Sequence, residues 1–129
     1  MHQKKDAAYV TSRLAIARGF LKDARNSNLV ADPCDIGNPS MSTVINCAIA
    51  YCDALTAEFR GEVNQDVVKL LRAALGKALP AKQEASLRAL LEQKDEVQYG
   101  SRAKTRNDAE KALERLEEFA AWAEQQLAL

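Results

Sequence analysis

Apolar residues recur at spacings of three and four along most of the chain, a pattern that is typical of amphipathic helices. The first such stripe runs through 5–26 and includes Ala7, Leu14 and Leu21. A second segment, 39–60, contains the run "VINCAIAYCDAL", which is apolar on almost every side. A helix with little polar surface contacts several neighbours, so we expect the second helix to lie at the centre of the protein.

Three further helices follow from the same periodicity, over 66–79, 82–99 and 107–127. Glycine or proline follows the predicted ends of three of the five helices, where these residues stop helical structure: Gly61, Pro80 and Gly100. Thr105 and Asp108 have the spacing of a capping box ahead of the last helix. No stretch alternates apolar and polar residues with β-branched enrichment, so strands are not expected. The pattern predicts a single all-α domain over 1–129, a five-helix up-and-down bundle.

The longest predicted connection is "SNLVADPCDIGNPS", which is rich in residues that favour turns. We interpret 27–39 as a surface linker, with Asn38 able to cap the second helix and Pro39 suited to its first position. Residues 1–4 precede the first stripe and are expected to be disordered.

Composition narrows the possible functions. Lysine plus arginine and aspartate plus glutamate each total 18, so the net charge is zero and nucleic-acid or membrane binding would need a local patch. Low net charge also gives little repulsion between copies, which favours a homodimer weakly. No apolar run is long enough for a signal core or a membrane span, and three cysteines without a CxxC pair favour a reducing cytoplasm.

The only histidine is His2, near the N-terminus. Histidine-based acid–base chemistry or a histidine metal site inside the domain is therefore not expected, and we predict no metal and no cofactor. Cys47 and Cys52 lie in the apolar run, where cysteine usually acts as a small hydrophobic residue.

The stretch "EQKDEVQYGSR", residues 92–102, holds the most distinctive chemistry. Helical spacing places Asp95 and Tyr99 on one face with Lys94 beside them. Three more cations follow in the turn after this helix and could form a phosphate-binding patch with Lys94: Arg102, Lys104 and Arg106. The simpler interpretation is a solvated helix end with solvated turn charges, and both interpretations stay open.

Asn46 and Asp53 are seven residues apart, so they lie near one face of the apolar second helix. Buried polar groups need partners, which predicts a structural hydrogen-bond network or a dimer contact. The alternative is that both side chains line a cleft beside Lys94. Trp122 is interpreted as partly core, with a dimer interface as the alternative.

The succession of the apolar second helix, the helix ending "LLEQKDEVQYG" and the final helix "DAEKALERLEEFAAWAEQQL" resembles the HEPN superfamily, the higher eukaryote and prokaryote nucleotide-binding domains. The resemblance covers about residues 5–127, with its specific part in 87–125. It implies a small helical bundle that commonly forms homodimers, often within bacterial toxin–antitoxin or phage-defence systems. Active members cut RNA without metal, using an arginine, a polar residue and, several residues later, a histidine.

Here Lys94, Asp95 and Tyr99 stand in those three places. Tyrosine is mostly protonated near neutral pH and accepts a proton poorly, and lysine lacks the two-pronged guanidinium that suits phosphate. We therefore expect a non-catalytic HEPN-like domain that binds a nucleotide, RNA or a protein partner such as a nucleotidyltransferase-like protein or an antitoxin. The alternatives are a metal-independent ribonuclease that uses these three residues, and a purely structural scaffolding bundle.

Overall fold

The structure, a computed structural model, describes residues 3–4, 7–60, 62–63, 71–72 and 75–128. The fold is all-helical, as the periodicity predicts. The described α-helices are α1 Ala7–Val30, α2 Asn38–Arg60, α3 Ala81–Glu92, α4 Lys94–Tyr99 and α5 Arg106–Ala128. A 3₁₀ turn, Gly76–Ala78, precedes α3.

Two short extended segments depart from the sequence prediction. β1, Gln3–Lys4, pairs antiparallel with β2, Glu62–Val63, where no strand was expected and where 1–4 were expected to be disordered. With only two residues on each side, the pair is too short for alternating polarity to reveal it in the sequence. It leaves the helical class of the fold unchanged.

The described residues do not support the predicted five-helix bundle, because they hold four helices of at least 12 residues and the six-residue α4. Half of the helix predicted over 66–79 lies outside the described residues; within the described half, 71–72 and 75 are helical and 76–78 form a 3₁₀ turn. The helix predicted over 82–99 is interrupted at Gln93, whose N–H bonds to the carbonyl of Leu90 at 3.2 Å. This three-residue hydrogen bond tightens the turn and separates α3 from the six-residue α4.

α2 is the central helix, as its apolar run predicts. It packs against α1, α3, α4 and α5, and its core-facing side chains are almost fully buried. Cys47 and Cys52 are among them, free and buried, which confirms that they act as small hydrophobic residues. Trp122 is also buried and packs on Phe119 with ring centroids 5.7 Å apart, so the core interpretation of Trp122 is confirmed.

Contacts between helices fix their directions. Arg13 pairs with Asp53, and the Ser27 and Ser40 hydroxyls lie 2.6 Å apart, so α1 and α2 are antiparallel. Arg18 of α1 pairs with Glu124 near the end of α5, whereas Arg25 pairs with the earlier Glu117. α1 therefore runs antiparallel to both α2 and α5.

The first connection is shorter than the predicted linker 27–39. α1 continues to Val30 because its polar last turn has tertiary partners: Ser27 contacts Ser40, and Asn28 accepts a hydrogen bond from Arg106. Such contacts override the weak helix propensity of serine and asparagine. The connection is thus 31–37, and it includes a turn in which the N–H of Asp35 bonds to Asp32.

Asn38 does not cap α2 as predicted. Its side chain instead donates from Nδ2 to the carbonyl of Val97 at 3.0 Å and accepts from the N–H of Lys104 at 2.7 Å. Asn38 therefore ties the start of α2 to both sides of the α4–α5 turn. Within the described residues, none of the helices combines the length and the hydropathy that a membrane span requires.

Candidate functional site

α4 is held in place from its buried side. Val97 is buried against the core, and the carbonyl of Val97 accepts the hydrogen bond from Asn38. The next residue, Gln98, donates from Nε2 to the hydroxyl of Ser42 at 3.1 Å. These contacts fix the orientation of α4 on the first turns of α2, so the opposite side of α4 faces solvent.

Tyr99 ends α4 and is 81% exposed, among the most exposed large side chains described. Gly100 follows it in extended backbone, where an added Cβ would lie 2.5 Å from the carbonyl oxygen of Glu96. A side chain at position 100 would therefore disturb the helix end that presents Tyr99.

Lys94 begins α4, about 7.5 Å along the helix axis from Tyr99, whereas Arg102 and Lys104 follow α4 in the loop. Lys94 and Arg102 are exposed and Lys104 is half-buried, and in the described part of the chain none of the three forms an ion pair. We call Lys94, Tyr99, Arg102 and Lys104 the α4 tip. The acidic residues Asp95 and Glu96 are also exposed on α4, so the tip carries mixed charge rather than a purely basic surface.

The capping box that precedes α5 is confirmed. Asp108 accepts the N–H of Thr105 at 3.0 Å, and the hydroxyl of Thr105 accepts the N–H of Asp108 at 3.1 Å. The hydrogen bond from the Thr105 backbone lowers the pKa of Asp108, with a smaller contribution from Lys104. This cap fixes the end of the loop that carries Arg102 and Lys104.

Arg106 does not join the patch predicted from the sequence. It is 8% exposed, and its guanidinium donates to the hydroxyl of Ser40 and to the side-chain oxygen of Asn28. The reason lies in helix periodicity, because Arg106 precedes the buried Ala109 by three residues and shares its inward face. The predicted grouping with Arg102 and Lys104 is therefore corrected for this residue.

Asp53 has a structural role. It forms a 3.2 Å ion pair with Arg13 of α1, and its side chain is 17% exposed. Burial raises the pKa of Asp53, although Arg13 counteracts this effect. Asp53 lies about 16 Å along α2 from Ser42, at roughly 1.5 Å per residue, so it does not line the α4 tip. Asn46 is half-buried on the same helix.

A groove between α1 and α5 escaped the sequence reasoning. It has a volume of about 410 Å³, its apolar lining includes Leu21 and Ala120, and two ion pairs from Arg18 to Glu124 and from Arg25 to Glu117 connect its sides. In the sequence, the two arginines and the two glutamates are each seven residues apart, so each pair lies on one face of its helix. This spacing does not show which helices are neighbours.

Tyr51 of α2 also lines this groove and donates its hydroxyl to Glu124 at 3.0 Å. Burial raises the pKa of Tyr51 above its ordinary value. The hydrogen bond from Arg18, followed by that from Tyr51, lowers the pKa of Glu124. The groups in the groove therefore satisfy one another, as expected of a structural network.

Across the described residues, no three histidine, cysteine, aspartate or glutamate side chains lie together as metal ligands would. The α4 tip offers an exposed aromatic ring and cations that form no ion pair with the described residues. This combination can bind phosphate groups and a stacked base, or the surface of another protein. No protein-family model matches the chain, and no curated protein matches its sequence.

Proposed function

We propose that the protein is a non-catalytic, HEPN-like binding domain that holds single-stranded RNA or a nucleotide at the α4 tip. The observation that carries the proposal is the 81% exposure of Tyr99 at the end of α4. Lys94 at the start of α4 and Arg102 after it form no ion pair with the described residues. A large aromatic ring held in water by a fixed helix is available for a ligand.

The chemistry of the tip fits phosphate and base together. Exposed lysine and arginine side chains neutralise phosphates, and an aromatic face stacks on any base without sequence preference. Because the net charge of the protein is zero and Asp95 and Glu96 lie on the same helix, phosphate groups are attracted only close to the cations of the α4 tip. We therefore expect modest affinity that falls steeply as salt concentration rises.

Three features favour binding over catalysis. Among the described residues, Tyr99 has no hydrogen-bond partner that would position its hydroxyl. Lys94 is exposed rather than directed at a fixed point. General acid–base catalysis needs a positioned group. Of the four cations predicted for the patch, Arg106 has side-chain hydrogen bonds that fix its position, and these go to Ser40 and Asn28.

The resemblance to the HEPN superfamily supplies the biological setting of the proposal. It favours a homodimer in the bacterial cytoplasm, within a toxin–antitoxin or phage-defence system. A nucleotidyltransferase-like protein or an antitoxin would then be the protein partner. These statements rest on the resemblance alone.

The test is a fluorescence-anisotropy titration of the full chain with a labelled single-stranded RNA in EDTA. Tyr99→Ala and Arg102→Ala are each expected to weaken binding by about three- to tenfold, the range for one lost stacking or phosphate contact. Arg115→Ala is the matched control, because Arg115 is an exposed arginine on α5, outside the tip. This control should bind like the wild type.

Equal affinities for Tyr99→Ala, Arg102→Ala and Arg115→Ala would contradict the proposal, as would no binding at low salt. The same mixtures, analysed on a denaturing gel, test the ribonuclease alternative. Cleavage in EDTA that Tyr99→Phe abolishes would replace the binding function with an enzymatic one.

A further inference from the structure

A second cavity lies where the α1–α2 connection meets the start of α5. It has a volume of about 290 Å³, and its lining includes Ser27, Val30, Ile36, Ser40 and Arg106. We call it the Arg106 cavity. It shares none of the four residues of the α4 tip, so its function is separate from the one proposed above.

Arg106, which lines this cavity, is 8% exposed and has no counter-ion among the described residues. Its two internal hydrogen bonds go to neutral oxygens, on Ser40 and Asn28, and no carboxylate of the described residues forms an ion pair with it. Burying a charge without a partner of opposite charge is costly, and a guanidinium has more N–H donors than these two bonds use. The arrangement is therefore suited to an anion.

Two acidic residues in the adjoining segments accept hydrogen bonds from backbone N–H groups. Asp35 lines the cavity, but its carboxylate accepts the N–H of Asp32 at 2.9 Å in the adjoining turn. Asp108, in the first turn of α5, accepts the N–H of Thr105. Arg106 is the first residue of α5, where the helix dipole also favours negative charge.

The mouth of the cavity is apolar. Val30 is 82% exposed and Ile36 is 56% exposed, and both line the cavity. These are two of the five large hydrophobic side chains that are exposed in the described structure. Exposed apolar side chains gathered at one place mark a binding surface more often than scattered ones do.

We propose that the Arg106 cavity binds a small monocarboxylate with a short hydrocarbon chain. The planar guanidinium matches a carboxylate in geometry and in the sign of its charge. When Ser40 donates to Ser27, the hydroxyl proton of Ser27 remains for the second carboxylate oxygen. The hydrocarbon chain lies against Val30 and Ile36, and the cavity volume of about 290 Å³ is close to the lower limit for small-molecule sites.

The test uses isothermal titration calorimetry on the full chain with three probes: hexanoate, hexan-1-ol and inorganic phosphate. Hexanoate is expected to bind at one saturable site, at least about tenfold more tightly than either other probe, because only hexanoate offers both charge and hydrocarbon. In an amide NMR titration, hexanoate should shift the signals of Ile36 and Arg106.

Ile36→Ser supplies the variant, since Ile36 is exposed and its replacement spares the core. It should weaken hexanoate binding by about threefold or more, through the lost apolar contact. Ile16→Ser is the control, because Ile16 is an exposed isoleucine on α1 outside the cavity lining. Any one of three results would overturn the proposal. They are a failure of hexanoate to saturate the site, equal binding of hexanol or phosphate, and equal effects of Ile36→Ser and Ile16→Ser.

Discussion

Gly37 lies in close contact with the backbone at the start of α5. Its N–H donates to the carbonyl of Lys104 at 2.7 Å, and an added Cβ would lie 2.3 Å from the carbonyl oxygen of Thr105. Only glycine fits at this distance without a shift of one backbone segment. The contact joins the first connection to the loop of the α4 tip.

Replacing Gly37 with alanine is expected to destabilise the protein by about 1–3 kcal/mol, the usual cost of forcing a group into packed space. Gly19→Ala is the matched control, since a Cβ at Gly19 meets no atom within 4 Å. That change should stabilise α1 by about 0.5–1 kcal/mol. Urea denaturation of both variants measures the two effects, and a Gly37→Ala variant as stable as the wild type would contradict the contact.

Individual residues show how far sequence reasoning reaches. The capping pair Thr105 and Asp108 was predictable, because a cap depends on neighbours in the chain. The burial of Arg106 could also have been predicted, because Arg106 lies three residues before Ala109, on the same face of α5. The role of Asn38 could not, because its partners Val97 and Lys104 are distant in sequence.

At the scale of elements, α1 and α5 are connected across the groove by ion pairs rather than by close backbone packing. Arg18 and Arg25 are more than half exposed, with side-chain exposures of 59% and 53%. Solvent screens such pairs, so each contributes little on its own. The Arg18–Glu124 pair differs in that Tyr51 also donates to the carboxylate, which links three helices at one point.

This junction predicts a pH dependence. The pKa of Glu124 is lowered from its ordinary value of 4.5, so its stabilising contribution is present above that value and lost as pH falls below it. Glu124→Gln should therefore be less stable than the wild type near pH 7, by up to about 1 kcal/mol, and the difference should be smaller at pH 3.

Urea midpoints at the two pH values measure the effect. Glu114→Gln removes the same charge from an exposed position of α5 and corrects for the change in net charge. An equal loss of stability at both pH values would show that the Glu124 carboxylate is not stabilised in the folded protein.

The elements themselves were largely predictable, because helix periodicity depends on local spacing. α2 and α5 begin and end within about a residue of their predicted limits. The extension of α1 to Val30 and the interruption at Gln93 were not predicted, because both depend on contacts between segments. The groove between α1 and α5 was missed for the same reason.

For the whole molecule, the described residues place two candidate binding surfaces near the turn that joins α4 to α5. The α4 tip presents charge and an aromatic ring to solvent, and the Arg106 cavity holds a buried cation behind an apolar mouth. Asn38 and Gly37 contact the loop between them. The sequence predicted a cationic site in this region, but it did not show that Arg106 lies in a different site from Lys94, Arg102 and Lys104.

The most direct measurement of the central claim is an amide NMR titration of the full chain with single-stranded RNA at low salt. We predict that the largest chemical-shift changes fall at 94–104, around Tyr99 and Arg102, and that they diminish as salt is added. Changes concentrated in the α1–α5 groove, at Arg18, Arg25 and Glu117, or no changes at any RNA concentration, would contradict it.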